Sequence, residues 1–583
     1  MRADATGAED GMDFNTLKRN LKKDYSKLTV VKLAIAGDSA TQLYAQAVRA
    51  YGYNLGINFE IYEADYDQID MQVFDASSGL YAARPDYVII FQSTEKLLKS
   101  FCKRGAADRA RFADDHVARV RGMYDALTAR LKTRVIYFNF AFIDDGVFGN
   151  FSNKVEGSFP YQLRKINYEL MNLSRELKNL FINDLDALQS RRGRVTLSDR
   201  KIYINTDIIF SLDFLPEIAR NTADIIMAIS GKFKKCAILD LDNTLWGGII
   251  GDDGMENIQI GDLGIGKAFT EFQLWLRELK QRGILLAVCS KNNEETARQP
   301  FREHPDMVLR PEDFSIFVAN WENKADNIRY IKEILNIGFD SMVFIDDNPV
   351  EREMVRTSLP EIAVPEMPED PAEYLDFLRS LNLFETASYS EEDGTRTEQY
   401  RQEAERRIVQ QVHTNEDDFL KSLDMSAEVR PFNAFNTPRV AQLTQRSNQF
   451  NLRTVRYTEE EIGAISASDD YVPLAFNLKD KFGDYGLISV IIMKKDGAAL
   501  FIDTWIMSCR VLKRGMENFC LNEIARIARE GGFKTVVGEY LPTPKNGLVL
   551  NHYRDLGFAD SDGRWILSVD EYRDRTHYIA RNA

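Results

Sequence analysis

Short apolar runs alternate with stretches of helical period along the first two thirds of the chain. Residues 30–36, 59–62, 87–91 and 135–138 are four such runs, separated by segments of helical character, notably around 161–181. Runs this short and this apolar suit strands buried on both faces. Strand and helix in alternation imply a doubly wound parallel sheet, extending to about residue 230. Before it, Phe14, Leu17, Leu21 and Leu28 recur at roughly helical spacing among lysines, as in an amphipathic lead-in helix. A second series of apolar runs follows at 236–239, 284–288, 316–319 and 342–345. It is interleaved with helical patterns at 269–282, closed by Gly283, and at 328–335, ending before Gly338. The glycines and aspartates at 251–254 suggest a flap hairpin. Residues 388–414 are rich in charge with sparse apolar points, which reads as a solvated connector helix. A third series begins near Asp417. Its strands are expected at 472–478, 486–493 and 498–507, with Asp496-Gly497 as a two-residue hairpin turn. A helix to about Gly531, a strand at 536–541 and a helix containing 551–558 complete the pattern. The division expected is therefore 1–230, 231–384, a connector at 385–416, and 417–583, an α/β multidomain chain.

Polar residues at the ends of the second series change this from architecture to chemistry. The run Cys236–Leu239 delivers Asp240 and, after one spacer, Asp242. Two carboxylates leaving a buried strand repel each other and lose water, which is costly without a cation between them. The bland alternative is a helix cap and a solvated turn, since Asp-Asn-Thr is ordinary turn chemistry. Two further strands end in Ser290-Lys291-Asn292 and in Asp346-Asp347, and Lys324 stands before the intervening helix. A parallel sheet brings such ends together, and ligands of open α/β sheets bind there. The set contains an anionic nucleophile, a second carboxyl for proton transfer, carboxylates for a metal, and a lysine and hydroxyl to hold phosphate. Oxygen-only ligands suit Mg²⁺, and no His/Cys cluster argues for zinc.

These motifs resemble the haloacid dehalogenase (HAD) superfamily, all four in order. The resemblance implies that Asp240 is the nucleophile and Asp242 the general acid/base, whose backbone carbonyl also binds Mg²⁺. It implies that Ser290, Asn292 and Lys324 bind phosphate, and that Asp346, with Asp347, completes the metal site. The intervals from Asp240 to Ser290 and from Ser290 to Lys324 leave no room for a separate lid with its own core. An open mouth suits a bulky substrate, such as one carried on a protein.

The flanking regions carry resemblances of their own. Gly37-Asp38-Ser39 after a strand looks like the nucleophile turn of the SGNH hydrolases. Their late Asp-x-x-His is represented by Asp213-Phe-Leu-Pro216, with proline in place of the base. His116, the one histidine of this region, lies in a helical Arg-rich stretch. A serine without a base is a weak nucleophile, so a non-catalytic scaffold or docking domain is expected. The C-terminal order of strands and helices resembles the GNAT acyltransferase fold. Its pyrophosphate loop corresponds to Cys509-Arg510-Val-Leu-Lys513-Arg514-Gly515, with lysine where the first glycine belongs. That resemblance implies pantetheine binding through Cys509, Arg510, Lys513, Arg514 and Gly515, and puts free acetyl-CoA as donor in doubt.

Taken together, DLDNTLWGG, VCSKNN, FIDDNP, NQFNL and SCRVLKRG in this order resemble the FkbH-like family over nearly the whole chain. The resemblance implies dephosphorylation of 1,3-bisphosphoglycerate or a similar acyl phosphate, with loading of the glyceryl group onto the phosphopantetheine thiol of an acyl carrier protein. Polyketide or polysaccharide biosynthesis is the setting implied. Cys289 or Cys509 is a candidate acyl carrier as a thiolate; the alternative for each is a small buried strand residue. Two other activities stay open: a phosphatase on a sugar or acid phosphate, and an N-acyltransferase.

Charge and cysteine usage narrow the partners. With 583 residues and a net charge of −15, the chain makes a nucleic-acid backbone an unfavourable partner. Five scattered cysteines without a CxxC pair suit a reducing cytoplasm rather than a disulfide framework. No run is long and apolar enough to span a bilayer, and the first ten residues lack the apolar core of a signal peptide.

Overall fold

Three sheets organise the molecule. The computed structural model describes residues 13–582, apart from 388, 390–395, 413–414, 447–449, 456, 458, 509–510 and 544–545. Two compact units are present, Met1–Tyr400 and Arg401–Ala583, and the boundary falls within the helix Arg396–Val412.

The first unit contains two parallel sheets. Strands β1 (Thr29–Gly37), β2 (Ile57–Glu63), β3 (Tyr87–Phe91), β4 (Arg134–Phe138) and β5 (Leu180–Asn183) stand in the order β2-β1-β3-β4-β5. All adjacent pairs are parallel, the flavodoxin-like doubly wound order. β3 is buried at every position, as a central strand covered by helices on both faces must be. The expected helix around 161–181 stops at Glu176, and its last apolar residues become β5. The two periods overlap there, and Leu177 in extended conformation ends the helix.

The second sheet holds β6 (Cys236–Leu239), β7 (Leu285–Ser290), β8 (Phe314–Ala319) and β9 (Met342–Ile345), ordered β8-β7-β6-β9 and wholly parallel. β6 and β9 lie at its centre and edge with every residue buried. Three helices leave the carboxyl ends of β7, β8 and β9: Glu294–Glu303, Lys324–Leu335 and Pro349–Ser358. Each starts on an asparagine, Asn293, Asn323 or Asn348, whose side chain accepts a first-turn backbone N–H. The caps thus point three helix N-termini at one end of the sheet, a setting that favours anions. The flap hairpin expected at 251–254 is instead a helical turn, Ile250–Asp253. The Asp253 carboxylate caps it from within by accepting the Ile249 N–H at 2.7 Å, and Gly247 alone bridges to Gln259.

The second unit is built on an eight-stranded sheet. Its strands are β10 (Met425–Arg430), β11 (Tyr471–Asp480), β12 (Gly483–Asp496), β13 (Ala499–Met507), β14 (Thr535–Glu539), β15 (Ala559–Ser561), β16 (Arg564–Ser568) and β17 (Ile579–Asn582). The order is β15-β16-β14-β13-β12-β11-β10-β17. β13 and β14 run parallel but pair only over Ala499–Phe501. Beyond that point, Phe450 to Leu452 bridge the gap. The Leu452 N–H donates to the Trp505 carbonyl, the Met507 N–H to Phe450, and the Leu541 N–H to Leu452. Strand edges that part must satisfy their backbone groups elsewhere, and here the chain itself supplies the partner.

The connector is less solvated than its composition suggests. Arg406 in the helix Arg396–Val412 is 2% exposed and forks onto Asp480 at 2.6 and 2.9 Å. Its guanidinium lies 4.1 Å from the Tyr485 ring centroid.

Candidate active site

The carboxyl end of the second sheet concentrates charge in a buried space. Asp240 follows β6, its N–H held by the Ile345 carbonyl at 3.0 Å. Lys324, at the first turn of its helix, reaches the Asp240 carboxylate at 2.9 Å and that of Asp346 at 2.6 Å. Carboxylate oxygens of Asp240, Asp346 and Asp347 lie within 4.8 Å of one another. Three carboxylates against one ammonium leave two negative charges, the charge a divalent cation cancels. All donors are hard oxygens, which fits Mg²⁺.

Burial and crowding act on these groups in opposite senses. Burial and then the Asp240 charge hold the Asp346 carboxyl above its usual range, and the same two causes raise Asp347. Burial alone would lower Lys324, but the charges of Asp240 and Asp346 outweigh it and keep the lysine firmly protonated.

Asp242 is set apart from that trio. One carboxylate oxygen accepts Trp246 Nε1–H and the Ile250 N–H, both at 3.0 Å; the other accepts Asn292 Nδ2–H at 2.7 Å. Burial raises its pKa, the direction a general acid needs. Asn292 also touches Ser290 Oγ at 3.4 Å, so it links the Asp242 carboxylate to the Ser290 hydroxyl. The turn is set by backbone conformation: Asn243 and Gly248 adopt φ of +54° and +96°, and Asn243 Oδ1 accepts the Gly248 N–H at 2.9 Å.

The fold therefore gathers Asp240, Asp242, Ser290, Asn292, Lys324, Asp346 and Asp347 at one sheet end. The Asp242 side chain, however, bonds to the Trp246 side rather than joining the three-carboxylate group. Cys289 is next in sequence to Ser290 but fully buried, with its thiol on the Lys324 carbonyl at 3.7 Å. Burial pushes its pKa up. A thiolate acyl carrier needs exposure and a lowered pKa, and Cys289 has neither. In the second unit, Cys509 and Arg510 lie outside the described residues. Arg514 is engaged by Glu403 at 3.0 and 3.1 Å and by the Tyr485 hydroxyl. Lys513 and Gly515 hold φ of +61° and +77° ahead of the helix Met516–Glu530, and the Lys513 N–H bonds Glu517 at 3.3 Å.

Three contributors escaped sequence reasoning. Trp246 is fully buried and orients Asp242. The Thr244 hydroxyl bonds both the Asp347 carboxylate and its N–H, at 3.2 and 3.1 Å. Arg352 clasps the carbonyls of Asp346 and Asp347 at 2.9 and 2.6 Å and pairs with Glu366. A tryptophan four residues after Asp242 and an arginine on the buried face of the next helix were the available signals.

Comparison with known proteins bears on this geometry. Residues 32–227 match the family model described as the FkbH N-terminal domain. A solved structure, the N-terminal part of protein BF1531 from Bacteroides fragilis containing a phosphatase domain complexed with Mg, is 53% identical. That match covers 65% of this chain and 100% of the other, with a TM-score of 0.63. The chain belongs to the FkbH-like family. The family resemblance carried by the motifs of the first two sheets thus stands on a solved N-terminal part that is matched over its whole length and spans 65% of this chain. Two further solved structures cover about a quarter of this FkbH-like chain. The ribosomal-protein-S18-alanine N-acetyltransferase of Escherichia coli is 13% identical over 26% of this chain and 99% of the other, TM-score 0.20. The GNAT domain of S. lividans PAT is 19% identical over 24% and 89%, TM-score 0.20. No weight rests on likeness at that level. Comparison with curated proteins gives no match. Among the described residues, no helix is long and apolar enough to cross a membrane.

Proposed function

We propose that this chain is a Mg²⁺-dependent phosphatase-type enzyme of HAD chemistry that processes an acyl phosphate. In this reading the phosphopantetheine thiol of an acyl carrier protein attacks the acyl carbonyl, the C–O bond to the acyl phosphate breaks with phosphate leaving, and a glyceryl thioester forms, while the HAD site removes the phosphate ester that remains. The observation that carries the phosphoryl half is the buried excess of two negative charges in the group of Asp240, Asp346, Asp347 and Lys324. The Mg-bound phosphatase domain of the Bacteroides fragilis relative supports the same half.

The residues divide the work as follows. Asp240, Asp346 and Asp347 would hold Mg²⁺, which when bound offsets the charge of the phosphate. At the phosphate ester of the substrate, an Asp240 oxygen attacks phosphorus, the P–O bond to the alkoxide oxygen breaks, and an aspartyl-phosphate forms. Asp242, its carboxyl raised by burial, gives a proton to a leaving oxygen and takes one from the water that hydrolyses the aspartyl-phosphate. Ser290 and Lys324 hold the phosphoryl oxygens, and the capped helix starts at Asn293, Asn323 and Asn348 add favourable partial charge.

The carrier-protein half rests on the family resemblance and on the short intervals between the motifs. Cys289 takes no part in it. Mass spectrometry of a holo carrier protein incubated with the enzyme and 1,3-bisphosphoglycerate decides the matter: a gain of one glyceryl mass supports the transfer, and no gain with any candidate carrier overturns it. Phosphate release without a carrier, lost in Asp240→Asn, leaves the phosphoryl half standing alone as a plain phosphatase.

A further inference from the structure

The first sheet has a cavity of its own. It measures about 520 Å³ and opens where β1 and β3 end, with Asp38 from the first and Gln92 and Ser93 from the second on its walls. In the strand order β2-β1-β3-β4-β5 this is the point at which the winding reverses, where open α/β sheets take their ligands. The volume is that of a small-molecule site.

Charge across the lining is nearly but not fully matched. Four aspartates (Asp38, Asp67, Asp70, Asp115) face three cations (Lys96, Arg104, Arg119). Three pairs account for the cations: Lys96 with Asp67 at 3.0 Å, Arg104 with Asp115 at 2.5 Å, and Arg119 with Asp70 at 2.6 Å. The fourth carboxylate is Asp38, 7% exposed. Its two oxygens share one backbone donor, the Ser93 N–H, at 2.9 and 3.0 Å, while Lys96 donates to its backbone carbonyl rather than to its side chain. Burial pushes the Asp38 carboxyl up to about 7, and burial keeps His116, on the same wall, neutral, with a pKa of about 3. The Tyr137 hydroxyl lies 3.1 Å from His116 Nε2 and donates to Gln92 Oε1 at 2.5 Å. That bond fixes which end of the Gln92 amide is spent and leaves its NH₂ as the donor end. Ser39, the residue of the hydrolase-like turn, does not line the cavity; its hydroxyl is buried without a partner.

We propose that this cavity binds a small hydrophilic molecule carrying a protonated amine, with the ammonium seated on Asp38 and an oxygen of the ligand on the Gln92 amide. The ammonium supplies the one counter-charge that the lining lacks. No covalent step is involved, in keeping with a serine turned away and a histidine that cannot act as base near neutral pH.

Calorimetric titration of the full chain tests this with a panel of amines (ethanolamine, glucosamine, spermidine and lysine) against the neutral counterparts ethylene glycol and glucose. At least one amine is expected to bind tenfold or more tightly than the neutral molecules. Asp38→Asn is expected to abolish that preference while leaving phosphatase turnover intact, and Ser39→Ala to retain it. Amines binding no better than the neutral probes, or a preference that survives Asp38→Asn, overturns the proposal. If Asp38→Asn does not fold, the wild-type comparison of charged with neutral probes still decides. Asp240→Asn separates this site from the phosphoryl reading, because amine binding is expected to be unchanged in it.

Discussion

Two parallel sheets in one unit each place an aspartate just past the carboxyl end of a central strand, and among the described residues only the second gathers a carboxylate group that could hold a metal ion. Asp38 and Asp240 are both nearly buried, at 7% and 6% exposure. Around Asp240 the neighbouring loops add two more carboxylates and a lysine only 4% exposed in its side chain. Around Asp38 they add charge pairs that are already closed and a neutral histidine. A buried carboxylate at a strand end is thus not in itself a catalytic feature. What differs is whether the surrounding charges leave a multivalent deficit or a single one, and on the readings proposed above the first suits a metal with phosphate and the second a monovalent group.

The sharpest way to break the comparison is to remove Asp240, the proposed nucleophile. Asp240→Asn is expected to cut phosphate release by about a thousandfold or more, roughly 4 kcal/mol of barrier, as read by phosphate assay. Chelation of Mg²⁺ should have a comparable effect, reversed by adding the metal back. Asp242→Asn is expected next, at about a hundredfold to ten-thousandfold loss of turnover, because the leaving oxygen loses its proton donor. Lys324→Met removes the cation that Asp240 and Asp346 share and should destabilise the metal-free protein by about 3–5 kcal/mol. Thermal melts check this, and Mg²⁺ should raise the melting temperature of the variant more than that of the wild type.

The smaller effects belong to the first sheet. Asp38 has its pKa raised on folding, to about 7 from an unperturbed 3.8. The folded state therefore binds this proton more tightly than the unfolded chain. The stability it contributes is full below about pH 4 and is lost as pH rises through about 7. Denaturant titrations in that window should show a downward slope for the wild type that flattens in Asp38→Asn. Ser39→Ala should leave phosphate release unchanged, and so should Cys289→Ala, at a stability cost of about 1 kcal/mol for a buried sulfur. A loss of turnover in either variant would blur the contrast between the two sheets.

The chain's own pattern determined a good deal. Short continuous apolar runs between stretches of helical period located most strands of the first two sheets, and abrupt polar residues at 240, 290 and 346 marked one sheet edge as a candidate site before any coordinates. The overlap of helical and strand periods near Leu177 hid β5. The charged composition of the connector hid Arg406, whose burial depends on an Asp480 more than seventy residues away. Only the tertiary structure decided that Cys289 faces inward while adjacent Ser290 lies beside Asn292, that Asp242 is held by Trp246 apart from the metal group, and that His116 shares a cavity with Asp38. Sequence records which groups are charged and roughly where a strand ends. Pairing and desolvation among groups distant along the chain depend on which loops meet, and only the packed sheets set that.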